Sequence, residues 1–361
     1  MSGAAPAGVL LVGNFLSPVV GSRNVIEDVA ERLASTGVPL VCVSGRRQTW
    51  ARALELATAP ILHRASYRVA IVDLFSGRAF YWGAAASALL RLLGCPHALV
   101  LHGGGLPAFA RRHPWSVRQC LQGATAVVSP SGYLISQLTP YRQDIGLLPN
   151  PLDVTRFRYR ARRRLSPRLV WVRSFHEMYN PGMGPRVVAG LVRDFPDVRL
   201  TMVGPDKGDG SLDRTRALAA ELGVADRITF TGGVNPRDVP EWLDSADVFL
   251  NTTRIDNTPV SVMEAMASGL CIVSTNVDGV PFLVRDGEDA LLVPDDDPGA
   301  MTAAVSRLLQ DEALSFAMST AARRKAETWD WTVILPQWTR LLRSLDGQRH
   351  GQGRVAETDA R

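Results

Sequence analysis

Between Ala246 and Asn276 the chain reads as strand, acidic loop, capped helix and strand, an order that leaves few folds open. Ala246-Asp247-Val248-Phe249-Leu250-Asn251-Thr252-Thr253 is a short apolar run of the kind that fills a buried parallel strand. Leu270-Cys271-Ile272-Val273-Ser274-Thr275-Asn276 is another, leading into Asp278-Gly279-Val280-Pro281. Between them, Asn257-Thr258-Pro259 predicts a loop residue, an N-cap and a first helical residue, since Thr caps well and Pro tolerates the first position. Gly269 then follows the helix C-terminus. The spacing puts Asp256 at the loop tip and Glu264 about a turn inside the helix. Such a helix starts at the C-terminal edge of a parallel sheet, where open α/β sheets bind ligands. The positive helix end around Thr258, Pro259 and Val260 suits a phosphate or a sugar hydroxyl. Glu264 can accept hydrogen bonds from a ribose diol, and Asp256 can face a sugar. The plainer alternative is an ordinary capped helix whose acids face water.

The same alternation runs through the whole chain. Strands are predicted at Gly8–Gly13, Pro39–Gly45, Arg68–Phe75, Pro96–His102, Ala124–Ser129 and Ile145–Pro149. A second set follows at Leu169–Arg173, Val198–Gly204, Arg227–Thr231, Asp247–Thr252, Cys271–Ser274 and Leu291–Val293. Helical patterns fill the gaps, most clearly at Asn24–Thr36 and Arg78–Leu93, so each half predicts a doubly wound parallel sheet of the α/β class. A length of 361 residues exceeds what one core usually supports, which agrees with two such domains. Neither half has G-x-G-x-x-G after its first strand, which counts against a nicotinamide or flavin dehydrogenase.

These motifs together resemble the family-4 retaining glycosyltransferases of the GT-B fold, which use nucleotide sugars. That family carries an acid, seven residues and a Glu, usually within E-G-F-G-x-x-x-x-E-A-M-A-x-G-x-P-V-V-A-T. Here Asp256 stands where Glu is commonest, and Asn257-Thr258-Pro259 replaces G-F-G. The resemblance implies two Rossmann-like domains facing each other across a cleft. It implies that Glu264 holds the nucleotide ribose, and that Asp256 with the backbone from Asn257 to Val260 contacts the donor sugar and diphosphate.

An Arg at the end of the second half's first strand, Arg173, matches the family's diphosphate Arg. A guanidinium binds phosphate oxygens bidentately and keeps its charge, so it can neutralise a departing diphosphate without a metal. The family's following Lys has no match, since Asn180-Pro181-Gly182 stands near its place. Leu101-His102-Gly103-Gly104-Gly105 resembles the family's strand-H-G segment, which implies that His102 lies near the donor sugar and that Gly103 belongs to a phosphate-side loop. Gly21 is carried over as part of the acceptor-side glycine loop, and Gly204, in Val203-Gly204-Pro205-Asp206, as a donor-side residue near the base. Val127–Tyr133 and Leu147–Asp153 resemble the family's S-x-Y segment and interdomain turn, with Pro151 for Gly.

The expected domains are 1–155 on the acceptor side and 156–328 on the donor side. A helix over 329–346 is expected to cross back to the first domain, with a disordered tail at 347–361. The expected activity is transfer of a sugar from a nucleoside-diphosphate sugar to a hydroxyl of a glycan, lipid or small molecule. No cofactor and no metal are expected. A nucleotide-sugar 2-epimerase, or a binder without turnover, stays open beside it.

Composition adds the setting. Four cysteines are widely spaced without a CxxC pair, which favours a reduced cytosolic compartment over a disulfide framework. No signal peptide is read at the start, and the longest apolar run, Ala79–Leu90, is too short to span a bilayer. Residues 1–168 hold 20 Arg and 7 acids, a balance of +13, against −8 for the rest, from 20 basic and 28 acidic residues. Part of that excess is the run Arg156, Arg158, Arg160, Arg162, Arg163, Arg164 and Arg168, read either as a solvated linker or as an anion-facing surface. Arg111-Arg112-His113-Pro114-Trp115 with Arg118 is the candidate contact for an anionic membrane face, and nucleic acid is not an expected partner.

Overall fold

The computed structural model describes residues 8–15, 24–43 and 49–358, and their side chains other than those of 49–54, 57 and 349–358. The chain forms two compact units, one from residues up to Pro151 plus the segment from Thr332 onward, the other Leu152–Trp331.

The first unit is built on β1 (Val9–Val12), β2 (Leu40–Val43), β3 (Val69–Leu74), β4 (His97–Leu101), β5 (Ala126–Ser129) and β6 (Ile145–Leu147). All pair in parallel, in the order 2-1-3-4-5-6. The second unit holds β7 (Arg168–Val172), β8 (Arg199–Val203), β9 (Ile228–Gly232), β10 (Val248–Asn251), β11 (Cys271–Thr275) and β12 (Leu291–Val293), parallel in the order 12-11-10-7-8-9. Each predicted apolar run overlaps one of these twelve strands, with ends moved by no more than two residues.

Alternation within the strands explains the burial. In β7, Leu169 and Trp171 enter one core while Val170 enters the other; in β10, Val248 and Leu250 oppose Phe249 in the same way. Side chains of successive strand residues point to opposite faces, so a sheet covered by helices on both sides needs apolar residues throughout. Helix Val25–Ser35 starts with the Asn24 amide donating to Glu27 Oε2 at 2.8 Å, half of a capping box.

The last helix, Trp331–Thr358, buries Ile334, Trp338, Leu342 and Leu345 on one stripe. Its backbone runs past Asp346, the expected end of the ordered chain. A helix closes its own hydrogen bonds, so it can outlast its last buried side chain.

Both orders place a topological switch point in mid-sheet, between β1 and β3 and between β10 and β7. Crevices open there, outside the carboxyl ends of the strands. The second unit's switch point is where Arg173 and the Asp256 loop emerge.

Candidate donor site of the second unit

Arg173 is the first residue beyond β7, and its amide donates to Val203 O at 3.0 Å. The β7 end lies so close to β8 that a Cβ on Gly204 would sit 1.7 Å from Arg173 O. Gly204 has φ +151°, so the close approach and the backbone angle both require glycine. The glycine lets the two strand ends fit together.

From β10 the chain enters a loop held on both sides. Trp171 Nε1 donates to Thr252 Oγ1 at 2.9 Å, and Thr252 Oγ1 donates to Tyr179 O at 2.7 Å. The Arg254 amide donates to Met178 O at 2.9 Å, and Thr275 Oγ1 donates to Thr253 O at 2.5 Å. Beneath the tip, the Gly279 amide donates to Asp256 O at 2.9 Å, and a Cβ on Gly279 would lie 1.8 Å from Asn257 O. In the sequence Gly279 simply follows the apolar strand run that ends at Asn276. Nothing in a single sequence marks which glycine will back a loop some twenty residues away.

The consequence is a pair between two residues assigned separate tasks. Arg173 Nη2 donates to Asp256 Oδ2, and both side chains are largely buried. The guanidinium also lies over the Tyr179 ring, 5.0 Å from its centroid, a partner the sequence did not announce. Arg173 Nε is buried and has no hydrogen-bond partner among the described residues. Burial pushes the Asp256 carboxyl up, against the pull of Arg173 and of the backbone amides of Thr258 and Asn257.

The following helix is Val260–Ala267. Its N-cap is Pro259 (φ −69°, ψ 102°), one residue later than predicted, and no side chain caps it. Proline before the helix holds the extended backbone an N-cap needs, which leaves Thr258 in the loop rather than bonding the first turn. The hydroxyls of Thr258 and Ser261 are both buried without a partner among the described residues. Buried polar atoms are normally paired, so such atoms at a helix start mark a place for a ligand group or water.

Glu264 lies on the same helix, partly buried. Burial pushes its carboxyl up to about 7, opposed by Arg156 and Arg173. Arg156 is thus a second cation acting on this carboxylate, and its Nη2 donates to Pro236 O at 3.0 Å. The helix ends at Gly269, φ +71°, as predicted.

The position near the family's Lys has a structural task instead. Asn180 takes a left-handed turn (φ 46°, ψ 55°), is buried, and donates from Nδ2 to Asp296 Oδ1 at 3.0 Å. The nearby Arg254 is paired with Glu177 at 2.5 Å and Asp296 at 3.4 Å.

The basic run is neither a wholly solvated linker nor a single anion-facing surface. Arg162 is 1% exposed; its guanidinium donates to Arg160 O, Ser268 O and Ala246 O and lies 3.4 Å from Asp247. Arg160 bonds Asp247 Oδ1 at 2.7 Å. Arg158 and Arg164 do face solvent. The inward residues clamp the end of helix Val260–Ala267 to the start of β10, which no charge count reveals.

In the first unit, His102 follows β4, its Nε2 3.0 Å from Asp73 Oδ1, with Phe75 stacked on the ring at 5.1 Å. Asp73 also blocks any side chain at Gly13, where a Cβ would come within 2.6 Å of its Oδ2. Gly103 has φ +85°. Gly21 lies outside the described residues.

Residues 166–311 match the family model described as Glycosyl transferases group 1. That match lies wholly within the second unit. It is 31% identical over 205 residues to D-inositol 3-phosphate glycosyltransferase of Corynebacterium glutamicum, covering 53% of this chain and 49% of that protein. It is 31% identical over 175 residues to a GDP-mannose-dependent alpha-(1-6)-phosphatidylinositol monomannoside mannosyltransferase of Mycolicibacterium smegmatis, covering 46% and 44% of the two. The chain thus spans about half the length of the curated relatives it matches. Among solved structures, sucrose-phosphate synthase from Thermosynechococcus elongatus aligns over 95% of this chain and all of its own, with TM-score 0.78 at 18% identity. HepE of Anabaena, crystallised with UDP and glucose, aligns over 94% of this chain and all of its own, with TM-score 0.72 at 15% identity. Both likenesses establish the GT-B fold.

Proposed function

We propose that the chain is a retaining glycosyltransferase that moves a sugar from a nucleoside-diphosphate sugar to a hydroxyl acceptor without needing a metal ion. One observation carries this reading: Arg173, Asp256, the unpartnered hydroxyls of Thr258 and Ser261, and Glu264 converge at the switch point of the second sheet. The names of the relatives support a nucleotide-sugar donor, one naming GDP-mannose and a solved neighbour holding UDP with glucose.

In this reading Glu264, ionised, accepts the ribose hydroxyls, and Thr258 and Ser261 donate to donor oxygens. The sugar departs through an oxocarbenium-like state while negative charge grows on the diphosphate. Arg173 lowers that barrier by preorganised charge, using donors left over from its pair with Asp256. Asp256 in turn faces the sugar and fixes the guanidinium. Retaining hydrolases need a second carboxylate as nucleophile. Here Glu264 is assigned to the ribose and Asp256 is paired with Arg173; the resemblance to the retaining family-4 enzymes implies that the acceptor attacks from the face the diphosphate leaves, and that the leaving phosphate oxygen takes its proton. His102, held by Asp73 at the end of β4, is the first unit's candidate polar group. The acceptor is a glycan, lipid or small molecule.

Donor turnover in EDTA tests this. Arg173→Ala should lower it by on the order of 100- to 1000-fold, and Arg173→Lys should recover only part, because bidentate geometry is lost. A strict requirement for Mg²⁺ or Mn²⁺, or full activity in Arg173→Ala, contradicts the reading.

A further inference from the structure

One face of the first unit has no part in the donor chemistry. Between Asp73 and Asp144 the sequence has no Asp or Glu, but six Arg: Arg78, Arg91, Arg111, Arg112, Arg118 and Arg142. Helices Arg78–Leu92 and Pro114–Gly123 enclose a cavity of about 210 Å³ lined by Tyr81, Ala84, Ala88, Arg91, Trp115 and Gln119 among others. Its lining is open to solvent at Trp115, 73% exposed, and Tyr81, 50%, and Leu92, next to the lining residue Arg91, is 81% exposed. Tyr81, Ala88 and Leu92 share one stripe of the first helix, at spacings of seven and four residues. The Tyr81 ring lies 5.9 Å from that of Phe109 and 6.4 Å from that of His113, joining this stripe to the exposed run from Arg111 to Trp115.

Two of the six cations are already engaged. Arg118 donates to Pro140 O at 3.0 Å, and Arg142 bonds Asp144 at 2.7 Å, so the acid at the edge of this region is matched. Arg91, Arg111 and Arg112 are exposed and have no ion-pair partner among the described residues.

We propose that this face docks the protein on an anionic phospholipid leaflet. Arg91, Arg111 and Arg112 meet the lipid phosphates, and Trp115, Tyr81 and Leu92 enter the interfacial layer. Charge complementarity selects the occupant: a contiguous surface that mixes exposed rings with cations, and has no acids, suits a negatively charged layer with an apolar interior. Amphipathic aromatic rings settle at headgroup level, and each basic residue near such a surface is worth about 1 kcal/mol. No described helix is long and apolar enough to cross a membrane, so the contact is peripheral. The inference does not depend on the transfer chemistry, and vesicle binding and turnover are read separately.

Flotation of the full chain decides it, with vesicles of phosphatidylcholine alone and of phosphatidylcholine mixed with phosphatidylglycerol. Binding is expected only with the anionic lipid, and should fall as salt shortens the screening length. Replacing two arginines in Arg111→Ser/Arg112→Ser should weaken it about thirtyfold, at about 1 kcal/mol each and 1.4 kcal/mol per tenfold. Trp115→Ser should weaken it too, although the charge is unchanged. Thermal unfolding of each variant separates loss of docking from loss of fold. No flotation with any lipid, or equal flotation with neutral vesicles, overturns the proposal. So does binding that heparin removes completely and Trp115→Ser leaves alone, since that describes a general polyanion binder.

Discussion

A carboxyl that burial pushes up to about 7, as Glu264 is, makes folding less favourable as the solution becomes more basic. The folded state holds this proton more tightly than the unfolded state, whose carboxyl titrates near 4.3. Stability from this residue is therefore complete below about 4.5 and is lost as pH rises through about 7. Denaturant titrations between pH 5 and 8 should show a decline of at most about 3 kcal/mol from this group, and Glu264→Gln should flatten it. An unchanged slope in the variant would show that Glu264 is not the titrating group. The ribose assignment has its own test: Glu264→Ala should weaken donor binding by about 1.5–3 kcal/mol, the scale for hydrogen bonds to a charged group, measured by calorimetry. Asp256, Glu264 and Arg173 were legible because acids and a guanidinium at strand ends and helix starts stand out locally. Their mutual pairing was not, because β7 and β10 become neighbours only through the strand order. For the same reason the sequence does not show that a Cβ at Gly204 would strike Arg173 O.

Helix Val260–Ala267 is fixed at both ends by segments distant in sequence. At its C-terminus the buried Arg162 joins Ser268 O to Ala246 O, and a Cβ on Gly269 would meet the Tyr159 ring at 2.7 Å. Arg162→Met takes the side-chain donors from the buried Ser268 O and Ala246 O and one of the two cations from Asp247, so it should destabilise the second unit by about 3–5 kcal/mol in urea titration. A cost below 1 kcal/mol would mean that the clamp is incidental. At the N-terminal side, Gly279→Ala cannot be accommodated without moving Asn257, so donor affinity should fall even in protein that remains folded by circular dichroism. Periodicity and end signals foretold the helix and its stop at Gly269. The one-residue shift of its N-cap to Pro259 escaped, since Thr caps well in general and only the actual backbone angles choose.

Across the whole molecule, legibility divides between the units. Both sheets were readable from apolar runs, because parallel strands buried on two faces leave a continuous signal. The family model matches within the second unit, residues 166–311, and the chemistry-bearing motifs crowd there too. The first unit offers fewer such motifs, namely His102, held by Asp73, and a glycine run. The basic run shows the limit of counting charge: Arg162 is among the most buried side chains in a segment read as surface. A nucleotide-sugar site that works through Arg173 and Glu264 without a metal should bind its donor in EDTA. Thermal unfolding of the wild-type chain and Glu264→Ala in EDTA, with UDP-, GDP-, dTDP- and ADP-sugars in turn, tests it most directly. One donor class should raise the wild-type midpoint, and Glu264→Ala should lose most of that rise. No rise with any donor, or an equal rise in the variant, would contradict it.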